Sequence, residues 1–233
     1  MKKVEHKSSK RYLEAAKLVD PKKIYTVEEA LALAKKTSTV KFDAGIEVHA
    51  KVNIDLKKSD QQIRSTVALP HGTGKTQKVA VVTTNGDQQK AAKEAGADLV
   101  GDKDLVEEIK NGKVSFDVLV ATPDAMKLLG PVAKILGPKG LMPNPKDGTV
   151  TTNVAESVAS IKKGKVNYKN DDSGNVHALI GRASFSEAQL KENFDAFWES
   201  LNKTKPTGIK GLFIKSVAIA SSMGPGMKIN PVK

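Results

Sequence analysis

The stretch KVAVVTTNGDQQKAAKEAGADLVG, residues 78–101, decides the fold class of the middle of this chain. It begins with an apolar run of the buried-strand type, continues through a polar, alanine-rich helical segment and ends in a second short strand. DLVEEIKNG then indicates a helix, FDVLVATP (116–123) a third strand and DAMKLLGPVAKIL a third helix. Strands that alternate with helices predict a parallel sheet, and continuously apolar strands fit burial on both faces. Residues 70–159 are therefore predicted to form a Rossmann-like, three-layer α/β domain.

The two ends of the chain carry a different signal, in which apolar and polar residues alternate. In KFDAGIEVHAKVNID (41–55), every second residue from Phe42 to Ile54 is apolar. A period of two predicts a strand with one face in a core and the other toward solvent or a ligand. Further strands are predicted at residues 62–69 and, as the last of the chain, at GLFIKSVAIASS (211–222). GKVNYK and NVHALIGR flank NDDSG, whose composition predicts a hairpin turn.

Helices are predicted around residues 9–19 and 27–36 and again after residue 184. Thr26 with Glu29, and Ser184 with Glu187, have the spacing of a capping box, in which each side chain bonds the backbone amide of the other residue. The helix after residue 184 ends before Pro206, because proline cannot continue a helix. Its apolar stripe consists of Leu190, Phe194, Phe197, Trp198 and Leu201.

Charge separates the middle of the chain from its ends. The 38 Lys and Arg residues exceed the 26 Asp and Glu residues by 12. Residues 1–69 hold 15 basic and 9 acidic residues, residues 160–233 hold 12 and 6, and residues 70–159 hold 11 of each. Because neither end looks sufficient for a core of its own, we predict that 1–69 and 160–233 together form one discontinuous, two-layer α+β sandwich, into which the α/β domain is inserted. The basic ends predict a polyanionic partner, nucleic acid before membrane.

Composition and spacing exclude several classes of function. The chain has no cysteine, which removes disulfides, thiol nucleophiles and cysteine zinc sites. His6, His49, His71 and His177 lack metal-ligand spacing, and no Ser/His/Asp arrangement indicates a nucleophilic enzyme. No apolar run approaches the ~18–20 residues that span a bilayer, and the charged N-terminus lacks the apolar stretch of a secretory signal. We expect a cytoplasmic protein that is not an enzyme and holds no metal or cofactor.

HGTGKT (71–76) has the ending of a phosphate-binding P-loop but not its beginning. The motif needs a first glycine where this chain has Leu69, and it should open a helix, whereas a strand at 78–85 follows in this chain. We interpret this segment as a hinge between the domains. The residues after that strand also lack the G-x-G-x-x-G pattern of a dinucleotide site.

Three stretches are candidates for binding. The polar face of the strand at 41–55 is either a solvated strand face or a ligand face. The loop LGPKGLMPNPKDGTV (136–150) is long, and long loops in compact domains are usually functional or disordered. SSMGPGMKINP (221–231) has little side-chain bulk, so a ligand can approach its backbone closely and a serine hydroxyl can bind phosphate or a ribose 2′-OH. The alternative for this last stretch is a plain C-terminal tail.

Four segments of the chain resemble, in order, the bacterial large-subunit ribosomal protein L-one family. They are KFDAGIEVHAKVNID, LPHGTGK, KILGPKGLMPNPKDGTV and SMGPGMKINP, and GPKGLMPNPK is distinctive by itself. The resemblance implies a two-domain protein in which an α/β domain interrupts an α+β RNA-binding domain. It also implies a structural component of the large ribosomal subunit that binds 23S rRNA at the mobile stalk beside the exit site, assists release of deacylated tRNA and represses translation of its own operon mRNA.

The resemblance implies an RNA-binding surface made of the strand at 41–55, the last strand and the loop after it. Phe42, on the apolar face of the predicted strand, is expected to be buried and to support that surface from beneath. Ser222 stands where many relatives have threonine, so the hydroxyl is kept. Lys139 and Lys146 are implied as secondary RNA contacts. The implied surface consists of Lys41, Phe42, Glu47, His49, Lys51, Ser216, Ser222, Met223, Gly224 and Gly226.

The expected partners are 23S rRNA, exit-site tRNA, the operon mRNA and other components of the large subunit, with a monomer when the protein is free of the ribosome. Aromatic residues make up 4% of the chain, which argues against a base-stacking module and favours recognition of RNA shape. Two other classes of function stay open. A nucleotide-using enzyme would be stabilised by nucleotide, and a single-strand RNA chaperone would bind irrespective of RNA fold.

Overall fold

The computed structural model describes residues 9–206, 209 and 211–230, and these divide into two compact units. The first unit holds the described residues up to Ile63, residues 69–74 and the described residues from Tyr168 onward. The second holds Arg64–Ala68 and Lys75–Asn167. The predicted fold class, one parallel α/β unit and one antiparallel α+β unit, is confirmed. The folding of 1–69 with 160–233 as one domain stays a prediction.

The described residues form both strands and helices, numbered in chain order. The strands are β1 (Gly45–Val52), β2 (Arg64–Ala68), β3 (Val79–Val82), β4 (Leu99–Gly101), β5 (Val118–Ala121), β6 (Lys165–Lys169), β7 (Asn175–Arg182), β8 (Ile214–Ser221) and β9 (Gly226–Ile229). The helices are α1 (Lys10–Lys17), α2 (Val27–Thr37), α3 (Gly86–Glu94), α4 (Lys103–Lys110), α5 (Met126–Leu129), α6 (Ala133–Leu136), α7 (Val154–Lys162) and α8 (Glu187–Lys203).

The second unit is a three-layer arrangement around a parallel sheet of order β4-β3-β5. β3 is buried on both faces, as its unbroken apolar run predicts. Val79 and Val81 pack in a core with α3 and α7, and Ala80 and Val82 pack in a second core with α4, α5 and α6. The helix predicted over DAMKLLGPVAKIL is instead α5 and α6, separated by a 3₁₀ turn over residues 130–132 that contains Pro131.

The first unit has an antiparallel sheet of order β7-β1-β8-β9, covered on one face by α2 and α8. The inner-face residues of β1 are buried, and so are those of the neighbouring strands. Apart from Gly45, the described strand residues that point to the opposite face are partly or fully exposed, so α2 and α8 leave that face open. The core between sheet and helices includes Ile46, Val48, Val176, Ile180, Ile219, Met227, Leu31, Leu190, Phe194 and Phe197.

One predicted capping box is confirmed and the other is wrong by two residues. Thr26 and Glu29 cap α2 in both directions. α8 is capped by Ser186 and Gln189 rather than by Ser184 and Glu187, because Ser184 is engaged elsewhere. Its hydroxyl and its backbone amide both donate to the carboxylate of Asp43.

Other strand predictions need correction as well. β1 begins at Gly45, so the predicted strand at 41–55 is too long at both ends. β8 is not the last strand, because the chain turns and pairs back on it as β9. NDDSG forms the predicted turn, which is closed by an isolated bridge between Asn170 and Val176. The predicted hairpin does not continue from it, because β6 pairs with β2 rather than with β7. The sequence patterns did not predict α7.

Within the described residues, every helix is too short or too polar to span a bilayer.

Candidate nucleic-acid interface

The uncovered face of the four-stranded sheet, which we call the outer face, collects side chains from all four strands. β1 lies between β7 and β8, so each of its outward residues has a neighbour on either side. β9 extends the surface beyond β8. Across β7, β1, β8 and β9, the rows of the outer face are formed by Leu179, Glu47, Ala220 and Gly226; by His177, His49, Ala218 and Lys228; and by Asn175, Lys51 and Ser216.

Three small residues of β8 and β9 make a flat patch within the outer face. Ala218, Ala220 and Gly226 present at most a methyl group each. A Cβ atom added to Gly226 would meet nothing within 4 Å, so this position opens directly to the outside. Adjacent strands are ~4.8 Å apart, so these three residues give a shallow platform on which a ligand backbone can approach the sheet closely.

Polar and charged side chains fill the half of the outer face on β1 and β7. The Lys51 ammonium donates to the carbonyl of Ser173 in the turn before β7, which holds that charge at the edge of the face. Ser216 is the β8 neighbour of Lys51 and is exposed. Glu47 is half-buried and brings a carboxylate among these donors. The face therefore offers both hydrogen-bond donors and acceptors beside a flat platform.

The turn between β8 and β9 is fixed to the start of β1. The Ser222 amide donates to the carbonyl of Gly45 (2.8 Å), and the Gly45 amide donates to the Ser222 hydroxyl (3.2 Å). The next residue, Met223, has φ +62° and is 69% exposed. Left-handed backbone is uncommon for a residue with a side chain, so the turn holds a large apolar side chain in solvent at some conformational cost.

The turn itself disfavours a side chain at Gly224. A Cβ atom at this position would collide with the hydroxyl of Ser221. The sequence pattern attributed its lack of side chain to close approach by RNA, and the structure shows a separate cause inside the protein.

Arg11 is a residue of this edge that the sequence patterns did not indicate. From α1, its guanidinium donates to the carbonyl of Met223 (3.1 Å) and to the hydroxyl of Thr39 (3.5 Å). It thereby links the β8–β9 turn to the loop before β1, which carries Lys41 and Phe42. Only long-range structure brings residue 11 to this edge, so no local pattern could have identified it.

The expectation that Phe42 is buried beneath the surface is wrong. Phe42 lies in a bend before β1 and its side chain is 56% exposed. The neighbouring Asp43 anchors this bend through the Ser184 bonds and accepts, at its carbonyl, a bond from Arg182 (2.9 Å). Phe42 and Lys41 are therefore both presented to solvent from an anchored bend.

Two histidines meet in the middle row of the outer face. His49 and His177 are directly opposite on β1 and β7, and their Nδ1 atoms are 2.8 Å apart. Partial burial lowers the pKa of His49 below its ordinary value, repulsion from His177 acts in the same direction, and Glu47 acts against both. The sequence predicts NVHALIGR as one side of a hairpin, but the pairing of His177 with His49 depends on the register between β7 and β1.

Lys139 and Lys146 belong to the second unit, whereas the other predicted site residues belong to the first. Lys139 is exposed. Lys146 lies in a 3₁₀ turn, and its backbone amide donates to the side-chain oxygen of Asn144 (2.8 Å). The loop around them is ordered by bonds between Asn144 and Thr149 and by a buried Asp147 that pairs with Arg64.

HGTGKT does not form a phosphate cradle. Gly72 and Gly74 both have positive φ and the chain continues into β3, so no helix N-terminus follows the motif. The Lys75 ammonium donates to Asp117 (2.7 Å). Among the residues described, no group of three or more His, Asp or Glu side chains is placed to hold a metal ion; His6 lies outside them.

Comparison with known proteins gives one consistent family. The sequence model of the "Ribosomal protein L1p/L10e family" matches residues 34–225. The chain is 54% identical over 226 residues to "Large ribosomal subunit protein uL1" of Thermosipho melanesiensis, covering 97% of each chain. It is 53% identical over 224 residues to the protein of the same name from Neisseria meningitidis, covering 96% of each. The relative from Fervidobacterium nodosum, again of that name, is 52% identical over 225 residues.

Proposed function

The chain belongs to the ribosomal protein L1p/L10e family, and from that membership we propose that the outer face of its four-stranded sheet binds ribosomal RNA. As a member of this family it is a structural constituent of the large ribosomal subunit, located with the ribosome in the cytoplasm, and not an enzyme. The resemblance found in the sequence is thus confirmed at the level of the family.

The observation that carries the proposal is the combination of a flat platform with donors and acceptors around it. RNA bound by shape presents ribose 2′-hydroxyls and phosphates rather than base edges to the protein. Ala218, Ala220 and Gly226 allow the sugar–phosphate backbone to come close. Lys51 and Lys228 supply charge for phosphates, and Glu47 can accept from a 2′-hydroxyl or from an exocyclic amino group.

The β8–β9 turn supplies a second group of contacts at one end of the outer face. The Ser222 hydroxyl accepts from Gly45, which leaves its own O–H free to donate to RNA. Met223 is held outward by its backbone conformation, and Phe42 is exposed in the anchored bend before β1. Apolar side chains that are held in solvent on anchored loops can pack against ribose or an unstacked base.

We further propose that the RNA is the 23S rRNA of the mobile stalk, that the protein assists release of deacylated tRNA from the exit site, and that it represses its own operon by binding a similar structure in the mRNA. The resemblance of the four sequence segments supports these roles. Lys139 and Lys146 are proposed as secondary RNA contacts, and other components of the large subunit as partners. A monomeric state off the ribosome stays a prediction.

The test compares binding to a folded stalk-junction RNA with binding to a scrambled RNA of equal length. We expect the folded RNA to bind at least about 100-fold more tightly at physiological salt. The logarithm of the binding constant should fall by about 0.7–0.9 per neutralised phosphate for each unit of log salt. Equal affinity for both RNAs would overturn the proposal and favour a single-strand RNA chaperone.

Lys51→Gln is the matching variant of that experiment. It removes one proposed phosphate contact, so the salt slope should decrease by about one unit with both RNAs. Lys90→Gln is the control, because Lys90 is an exposed lysine on α3 of the second unit and is not a residue of the outer face. If Lys51→Gln and Lys90→Gln give the same slope as the unaltered protein, Lys51 does not contact phosphate.

A further inference from the structure

The histidine pair, His49 and His177, can bind only one additional proton while its hydrogen bond persists. The Nδ1 atoms are 2.8 Å apart and the rings are edge-on, with centroids 5.0 Å apart. A hydrogen bond between two ring nitrogens needs one donor and one acceptor, so one of the two Nδ1 atoms carries no hydrogen. That imidazole is neutral, and at most one positive charge can reside on the pair.

The flanking carboxylates indicate which atom accepts the proton. Asp171 Oδ2 is 3.5 Å from His177 Nε2, whereas Glu47 Oε2 is 3.9 Å from His49 Nε2. The closer carboxylate favours a hydrogen on His177 Nε2, which makes His177 Nδ1 the acceptor of a bond from His49 Nδ1–H. In the neutral pair, His49 Nε2 then has a free lone pair, and this is the atom that takes up a proton.

Two lysines and three carboxylates surround the pair, so the neighbouring charge sums to −1 when both histidines are neutral. On β1 the neighbours are Glu47 and Lys51, on β9 Lys228 lies in the same row, and the turn before β7 contributes Asp171, with the exposed Asp172 beside it in sequence. The facing residues of β8 (Ser216, Ala218 and Ala220) and the other β7 residues of the face (Asn175 and Leu179) carry no charge. A phosphate that approaches His49 meets Glu47 at close range, whereas Lys228 in the same row lies two strands away, beyond Ala218.

We propose that the histidine pair is a single proton-accepting site for an RNA backbone phosphate, with His49 Nε2 as the contact atom and His177 as the residue that positions it. This inference rests on the proposed RNA binding. Phosphate favours the charged form of His49, so the pair takes up a proton when the phosphate binds. Burial keeps the His49 pKa low in the free protein, so the proton arrives with the RNA rather than before it.

The direction of the pH dependence follows from this linkage. A group whose pKa rises on binding makes affinity rise as pH falls through the interval between its free and bound pKa values. One linked proton changes affinity by at most about tenfold per pH unit. We expect the affinity for stalk RNA to be about three- to tenfold higher at pH 6.0 than at pH 7.5.

The experiment measures proton uptake calorimetrically, by RNA titration at pH 6.5 in two buffers of different ionisation enthalpy. The unaltered protein should take up a measurable fraction of one proton and never more than one. His49→Gln removes the accepting atom and should remove this uptake, and the double variant with His177→Gln should behave like His49→Gln. His177→Gln alone should keep the uptake, because the proton-accepting atom is on His49 and the Gln amide oxygen can replace His177 Nδ1 as acceptor.

His71→Gln is the matched control, because His71 pairs with Glu192 away from the outer face, and its uptake should equal that of the unaltered protein. If the two histidines instead took up protons independently, each single variant would lose part of the uptake and the double variant would lose the sum of the two parts. That result would overturn the proposal. Zero uptake with tight binding to stalk RNA would also overturn it while leaving the proposed function standing. Failure to prefer stalk RNA at any pH would instead contradict the proposed function itself.

Discussion

Ser222 and Gly45 hold each other by two reciprocal hydrogen bonds. The Ser222 amide donates to the Gly45 carbonyl, and the Gly45 amide donates to the Ser222 hydroxyl. The pair continues the ladder between β1 and β8 one step beyond Ser221, with a side chain in place of a backbone acceptor. It joins the β8–β9 turn to the start of the strand that carries Glu47, His49 and Lys51.

Ser222→Ala should weaken both the fold and RNA binding. The variant leaves the Gly45 amide without its acceptor and removes the O–H that we assign to RNA. We expect a loss of about 1 kcal/mol in the free energy of unfolding. Affinity for stalk RNA should fall about five- to tenfold, equivalent to ~1–1.4 kcal/mol. Denaturant unfolding and RNA titration measure the two effects.

Ser222→Thr is the control for that variant, since it retains the hydroxyl in both roles. It should unfold and bind like the unaltered protein. If Ser222→Ala also binds stalk RNA like the unaltered protein, the hydroxyl makes no RNA contact.

Met223→Asn should separate stability from binding. Asparagine adopts left-handed backbone far more readily than methionine, so the free energy of unfolding should stay equal or rise by up to ~1 kcal/mol. The exposed thioether side chain is lost, and we expect stalk RNA to bind about tenfold more weakly, ~1.4 kcal/mol. Thermal melts measure the change in stability, and RNA titrations measure the change in affinity. A variant that is more stable and binds equally well would show that Met223 is a strained turn residue without an RNA role.

Asp171 should make stability depend on pH in the acid range. Its carboxylate accepts bonds from the amide of Asn175 (2.6 Å), the side chain of Asn175 (2.9 Å) and the amide of Ser173 (2.9 Å). These bonds, that from the Asn175 amide first, hold the pKa of Asp171 well below its ordinary value. The stabilisation is complete above the unfolded-state pKa of about 3.9 and is lost as pH falls toward the lower folded-state pKa.

Asp171→Asn tests this assignment. The variant should melt at a lower temperature than the unaltered protein at pH 6, and the difference should shrink steadily between pH 4 and pH 2. A difference in melting temperature that is the same at pH 6 and at pH 2 would contradict the pKa shift as its cause.

Local patterns predicted element types better than element ends. The alternation at 41–55 identified β1, but it could not show that Phe42 belongs to a bend, because apolar and polar residues also alternate in the segment leading into the strand. Two matches to the capping-box pattern overlap at Ser184 and Ser186, and Asp43, which is far away in sequence, takes the first of them. β9 is four residues long and begins at the last glycine of Gly-Pro-Gly, so its pattern was too short to identify.

The site residues that local patterns did not reveal depend on strand register and tertiary contacts. His177 and Lys228 fall on the outer face only because β7 and β9 pair with β1 and β8 in a fixed register. Arg11 reaches Met223 across 212 positions of sequence. Nothing local distinguishes these residues from solvated polar side chains, whereas the glycine-rich turn and the alternating strand carry their own local signals.

Gly226 offers a sharper test of the outer face than Gly224. Any side chain at Gly224 collides with Ser221, so a loss of binding there would mix turn distortion with obstruction of RNA. Gly226 is exposed on β9 of the outer face, and a Cβ there meets nothing within 4 Å. At Gly86, the first residue of α3 in the second unit, an added Cβ atom also meets nothing within 4 Å, so this glycine provides a matched control.

The measurement that tests the RNA-binding face most directly is therefore the affinity of Gly226→Val for folded stalk RNA, beside that of Gly86→Val, with a thermal melt of each. We expect both variants to melt close to the unaltered protein, because an added Cβ atom meets no protein atom within 4 Å at either position. Gly226→Val should bind about 100-fold more weakly or worse, ~2.7 kcal/mol, since an isopropyl group would stand on the platform where the RNA backbone approaches. Gly86→Val should bind with unchanged affinity. A stable Gly226→Val variant that binds stalk RNA as tightly as the unaltered protein would contradict the outer face as the RNA-binding surface.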